Sequence, residues 1–139
     1  METYLYVDST IRAVTNTVSS GVLSGTSNSY VYRLRNRLVG VYAAELLSAG
    51  FPQQSSCNHV ILDIVEFENQ RNDGNFGVIN NLVPVNSNIA YTSASFYPIR
   101  TKFDNPLDID RLSVNWKDPT GNIINMGNNS MLLKISHYK

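Results

Sequence analysis

Cysteine, histidine, tryptophan and net charge are all scarce in this 139-residue chain, and each scarcity narrows what the protein can be. Cys57 is the only cysteine, so no intramolecular disulfide can form, which fits a reducing compartment. The two histidines, His59 and His137, stand far apart and no His-x-His occurs. Zinc sites want three or four ligands, so no metal centre and no cofactor is expected. Eleven basic residues balance eleven acidic ones. The basic excess that draws a dedicated nucleic-acid binder to phosphate is therefore missing, as is any general pull toward an anionic membrane. No apolar run approaches the roughly 18–20 residues of a membrane-spanning helix, and Met1-Glu2-Thr3-Tyr4 lacks the basic start of a secretory signal. A soluble protein made in the cytosol is expected. There is no Walker loop, dinucleotide glycine motif or Gly-x-Ser-x-Gly elbow, and no repeat of fixed period. An enzyme is not expected.

What is present is β-structure. Charged residues are few while Asn, Ser and Thr are frequent, and their side chains compete with helix by bonding local backbone. Between residues 111 and 117, Leu112, Val114 and Trp116 alternate with Arg111, Ser113, Asn115 and Lys117, the period of a half-buried strand. This phase puts Trp116 in the core. Asp118-Pro119-Thr120-Gly121 supplies a turn, and Met131 to Ile135 a last strand, read as the partner of the first. Residues 29–37 alternate as well: Tyr30, Tyr32 and Leu34 face one side, Val31, Arg33, Arg35 and Arg37 the other. A second β segment follows over 38–47 after a kink near 36–38, although 42–47 has local helix preference.

Residues 58–67 (NHVILDIVEF) are β-branched and apolar on both faces, which predicts a central strand. A turn at 72–75 and short strands at 77–79, 82–85, 90–96 and 98–103 complete about eight strands in one domain over 1–139. The Ser/Thr/Gly-rich segment 8–29 reads as an extended arm or a long loop, or as a connection holding one short strand near 10–14.

Candidate chemistry is thin. His59 and Asp63 share a strand face and could form half of a metal site, but a hydrogen-bonded histidine is the commoner reading. Cys57 shares that face, where a buried structural thiol is far commoner than a reactive one. Asp108 and Asp110 are either a carboxylate pair or solvated residues flanking the Leu112 strand. Tyr91, Phe96 and Tyr97 are either an aromatic platform or inner-face residues. The most pointed feature is Arg33, Arg35 and Arg37: period two aligns three guanidinium groups. They suit phosphate or, better in a chain without other basic clusters, the acidic groups of an adjoining subunit; the plainer alternative is a solvated face.

The order L-x-V-x-W-x-D-x-x-G (Leu112, Val114, Trp116, Asp118, Gly121) before an apolar strand resembles the final strands of single jelly-roll penton and minor capsid proteins of nucleocytoplasmic large DNA viruses. The segment LVGVYAAELLSAGFPQ (38–53) is similar to a strand and its aromatic-Pro exit in those proteins. The resemblance spans about half the chain. It implies an all-β single jelly roll, an eight-stranded antiparallel β-sandwich, acting as a structural virion protein. That protein would be a homopentamer at icosahedral vertices, contacting major and minor capsid proteins, with no specific nucleic acid and no membrane insertion. The family pattern carries no site residue onto this chain, and no insertion is long enough to form an external receptor-binding domain. The alternative is a small β-sandwich binding module for a carbohydrate or cell-surface partner.

Overall fold

A computed structural model describes residues 1–11, 13–14, 21–51, 59–68, 82–84, 91–92 and 99–138. Its elements are β1 (Glu2–Asp8), β2 (Ala13–Val14), β3 (Gly21–Gly25), β4 (Ser29–Gly50), β5 (His59–Ile64), α1 (Val65–Glu68), β6 (Leu82–Pro84), β7 (Tyr91–Thr92), β8 (Ile99–Lys117) and β9 (Ser130–His137). The strands form one antiparallel sheet whose main path runs β1-β9-β4-β8-β5-β6, with β3 and β7 also on β4 and β2 on β3. The protein is all-β, and its sheet is curled.

Two long strands produce the curl. Near one end of the β4–β8 ribbon, Ser29 to Arg33 pair with Asn115 to Arg111; near the other, Ala43 to Leu46 pair with Lys102 to Ile99. Between these runs the register shifts three times, with surplus residues on β4 between Arg33 and Leu38 and again between Leu38 and Val41, and on β8 between Lys102 and Leu107. An extra residue on one strand bends the ladder and strengthens its twist. The β8 surplus contains Pro106, which has no amide to contribute to a ladder. Gly40, at φ +69°, makes the adjoining corner, and a side chain there would crowd the Tyr138 ring. The kink read from the sequence at 36–38 therefore falls in the first bulge.

Because of the bends, the two ends of the ribbon have different neighbours. One end continues through β9 to β1, the other through β5 to β6. Leu62 and Ile64 of β5 then face Ala44 and Leu46 of β4, Ile99 of β8 and Leu133 of β9 across a residual void of about 20 Å³. That is room for about one water between otherwise close-packed apolar side chains. Around it Phe67 meets Phe103 with ring centroids 5.1 Å apart, and Phe51 meets the fully buried Trp116 at 5.9 Å. Buried Leu, Val and Ile of β1, β4, β8 and β9 complete the core, each contributing about 1.5–3 kcal/mol through burial.

Several sequence expectations are modified. β8 and β9 are not partners: β4 lies between them, so the turn after Lys117 leads into a crossover rather than a hairpin. The turn itself forms, with the Gly121 amide donating to the Asp118 carbonyl at 2.9 Å and Gly121 at φ +97°. The Thr120 hydroxyl and the Asn122 amide also donate to the Asp118 carboxylate, holding it below the usual carboxylate range. Residues 42–47 are strand, their helix preference overridden by ladders to β8 and β9 on both edges. The 58–67 strand stops at Ile64, and α1 follows. Within 8–29, Gly21–Gly25 is a strand on β4 rather than arm or loop, and Ala13–Val14 pairs with it. The turn at 72–75 and the strand at 77–79 lie outside the described residues.

Candidate functional site

The outer face of β4 carries the arginines. Tyr30, Tyr32 and Leu34 point into the core, which leaves Arg33, Arg35 and Arg37 exposed. Cross-strand register sets Arg33 between Val22 of β3 and Arg111 of β8. Two exposed arginines thus occupy directly opposed positions, and like charges so placed destabilise a sheet.

Local carboxylates answer only part of this charge. Arg37 Nη2 lies 2.8 Å from Asp108 Oδ2, while Asp108 Oδ1 accepts the Gly40 amide at 2.9 Å, so this pair braces the bend. Arg111 Nε is 3.7 Å from Glu66 Oε2. Glu66 accepts the Ser113 amide at 2.5 Å and hydroxyl at 2.7 Å, which ties α1 to β8. Among the described residues, no carboxylate comes within 4.0 Å of Arg33 or Arg35. The structure therefore divides the sequence-defined trio: Arg37 is bound into the fold, while Arg33 and Arg35, with Arg111 beside them, present positive charge outward.

The remaining candidates are dispersed. His59 is half-buried at the start of β5, and Asp63 is buried against Lys117, with Nζ 2.8 Å from Oδ2. Lys117 thus takes the carboxylate that a metal would have needed. His137 is buried, with Nε2 2.8 Å from the Thr3 hydroxyl. Among the described residues no group of three His, Cys, Asp or Glu could hold a metal ion. Asp110 is exposed, and both it and Asp108 lie within β8 rather than at its start. Cys57, Phe96 and Tyr97 lie outside the described residues; of Tyr91 only the backbone is described.

Sequence reasoning missed Asn129. It is 3% exposed; its Oδ1 accepts Trp116 Nε1 at 3.2 Å and the Tyr30 hydroxyl at 3.3 Å, and its Nδ2 donates to the carbonyls of Ser27 at 2.7 Å and Gly127 at 2.9 Å. Its backbone amide donates to the Ser9 hydroxyl oxygen at 2.9 Å. One side chain thus ties the β3–β4 turn, β8 and the approach to β9 together. An asparagine inside Asn-Asn-Ser gives no sequence signal for that role. Comparison with known proteins finds no matching family model and no matching curated protein.

Proposed function

We propose that the chain is a single jelly roll serving as a structural subunit of a virion capsid, a penton assembled as a homopentamer at icosahedral vertices. The observation that carries this reading is the order of strand pairing. With β4 and β8 each divided at its bulge, and with β2, β3 and β7, which lie off the main path, set aside, the strands run as β1, first β4, second β4, β5, β6, first β8, second β8, β9. First pairs with last, second with seventh, third with sixth and fourth with fifth, and the eighth also pairs with the third and the seventh with the fourth. A ribbon doubled back and rolled in this nested order supports a jelly roll, an architecture shared by viral capsid proteins, lectins and cupins. The resemblance of the order Leu112, Val114, Trp116, Asp118 and Gly121 to that of penton proteins is what favours the capsid class among these.

In this reading the protein is made in the host cytoplasm and works without a cofactor. It contacts its own copies and the major and minor capsid proteins around the vertex. Arg33 and Arg35, with Arg37 and Arg111 beside them, meet carboxylates of an adjoining subunit and relieve the opposition of Arg33 and Arg111. The test is sedimentation velocity over a concentration series. A discrete pentamer is expected for the parent chain, and a shift to monomer for the Arg33→Glu, Arg35→Glu variant. A chain that stays monomeric at every concentration would count against self-assembly, and a variant that assembles unchanged would remove the arginines from the interface.

A further inference from the structure

At the end of the β1-β9-β4 layer lies an open cleft of about 380 Å³ lined by Asp8, Thr10, Gly50, Phe51, Asn128, Asn129 and Ser130. The ladder explains how these residues meet. Asp8 of β1 and Gly50 of β4 are the two cross-strand partners of Ser130, so the three form one row across the layer. Gly50 leaves the row open, since a Cβ there would stand 3.3 Å from the Ser130 hydroxyl. Phe51, whose inner side packs on Trp116, supplies an apolar wall. Tyr6, 48% exposed, reaches the rim with its hydroxyl 3.1 Å from Asp8 Oδ2.

The hydrogen-bonding capacity left over defines the ligand. Asp8 Oδ1 accepts both the Thr10 amide at 2.9 Å and the Thr10 hydroxyl at 2.6 Å. Burial raises the Asp8 pKa, but the bonds from Thr10 and Tyr6 outweigh it, and the carboxyl stays below its ordinary value, ionised at neutral pH. A carboxylate has about four acceptor positions, so Oδ2 keeps one for a ligand. The Thr10 and Tyr6 oxygens, having donated to Asp8, remain as acceptors. Ser130 and the exposed Asn128 amide add groups that can both donate and accept. Among the described residues no cation lines the cleft, and the one charge there, on Asp8, attracts donors. Its size falls at the lower end of small-ligand sites, about 300–1,000 Å³.

Acceptors grouped around a carboxylate, an amide beside them and an apolar wall match a ring that bears adjacent hydroxyls and one C–H face. We propose that this cleft binds a neutral saccharide, a mono- or disaccharide unit of a glycan, with Asp8 and Asn128 fixing vicinal hydroxyls and Phe51 covering the apolar face. The site does not depend on the capsid reading, because it lies within one copy of the chain.

The test is an NMR titration of the full-length protein with neutral methyl glycosides of glucose, galactose, mannose and N-acetylglucosamine. At least one should shift the amides of Asp8, Thr10, Gly50 and Asn128 saturably, and Asn128→Ala should weaken it about tenfold. Asn128 is exposed, so that variant keeps its fold, which the remaining amide spectrum verifies. Gly50→Ala, filling the open row, should weaken binding in the same direction. The proposal is overturned if no glycoside shifts these amides, or if Asn128→Ala binds like the parent.

Discussion

Replacing Asn129 by alanine tests whether the layers are locked by one buried amide. The substitution removes four side-chain hydrogen bonds and leaves the Trp116 indole N–H and the Tyr30 hydroxyl, both nearly inaccessible, without their acceptor. A buried donor left unpaired costs about 1–3 kcal/mol, so the two donors alone bound the loss between about 2 and 6 kcal/mol. Asn129 also lines the open cleft, and water entering the vacated space would replace part of what is lost. The expected destabilisation is therefore about 3 kcal/mol, in the lower half of that range. Trp116 is the chain's only tryptophan and sits at the lesion, so denaturant unfolding followed by its fluorescence reads the change directly. The midpoint should fall with little change in slope. Asn28→Ala, which removes one acceptor from the Met126 amide at 2.9 Å, serves as the scale and should cost about 1 kcal/mol. Equal losses for the two variants, or an Asn129→Ala loss below about 0.5 kcal/mol, would refute the role given to Asn129.

Two further substitutions probe the same framework. Burial raises the Tyr30 hydroxyl to about 12 from 10.0; the Trp116 indole opposes the shift and the Asp8 charge adds to it. The neutral form belongs to the fold, so its contribution is complete below pH 10 and is lost as the pH rises from 10 to about 12, a loss on the order of 3 kcal/mol. Tyrosinate absorbance should show a late-ionising tyrosine that Tyr30→Phe removes; a titration in which all tyrosines ionise together would contradict this. Gly40→Ala forces a side chain into the left-handed region beside Tyr138 and should cost about 1–2 kcal/mol in thermal unfolding, little of it recovered by Tyr138→Ala. Full recovery would place the cost in the ring contact rather than the backbone.

Much of the local structure was legible because alternation reports which face a side chain takes. Tyr30, Tyr32, Leu34, Leu112, Val114 and Trp116 are buried as their period requires, and the Asp118–Gly121 turn follows from its residues. Alternation says nothing about which strand lies alongside. The insertion of β4 between β8 and β9 depends on register shifts that bend both long strands, and only the one before Leu38 left a trace in the sequence. β3 hid in a Gly- and Ser-rich stretch because Gly21 is needed there: a Cβ would stand 2.5 Å from the Arg33 carbonyl and 2.6 Å from the Tyr32 ring. The arginine face was legible in pattern, but its division was not. Asp108 and Glu66 meet Arg37 and Arg111 across 71 and 45 residues of chain, leaving Arg33 and Arg35 outward. The cleft was invisible for the same reason, since Asp8, Gly50 and Ser130 meet only when three distant strands align.

The claim that this chain builds a five-fold capsid vertex is tested most directly by electron microscopy of the purified, concentrated protein. Two-dimensional class averages should show rings of five-fold symmetry, with the Arg33 and Arg35 face turned toward the neighbouring copy. Averages containing only single copies, or closed two-fold dimers, would contradict it.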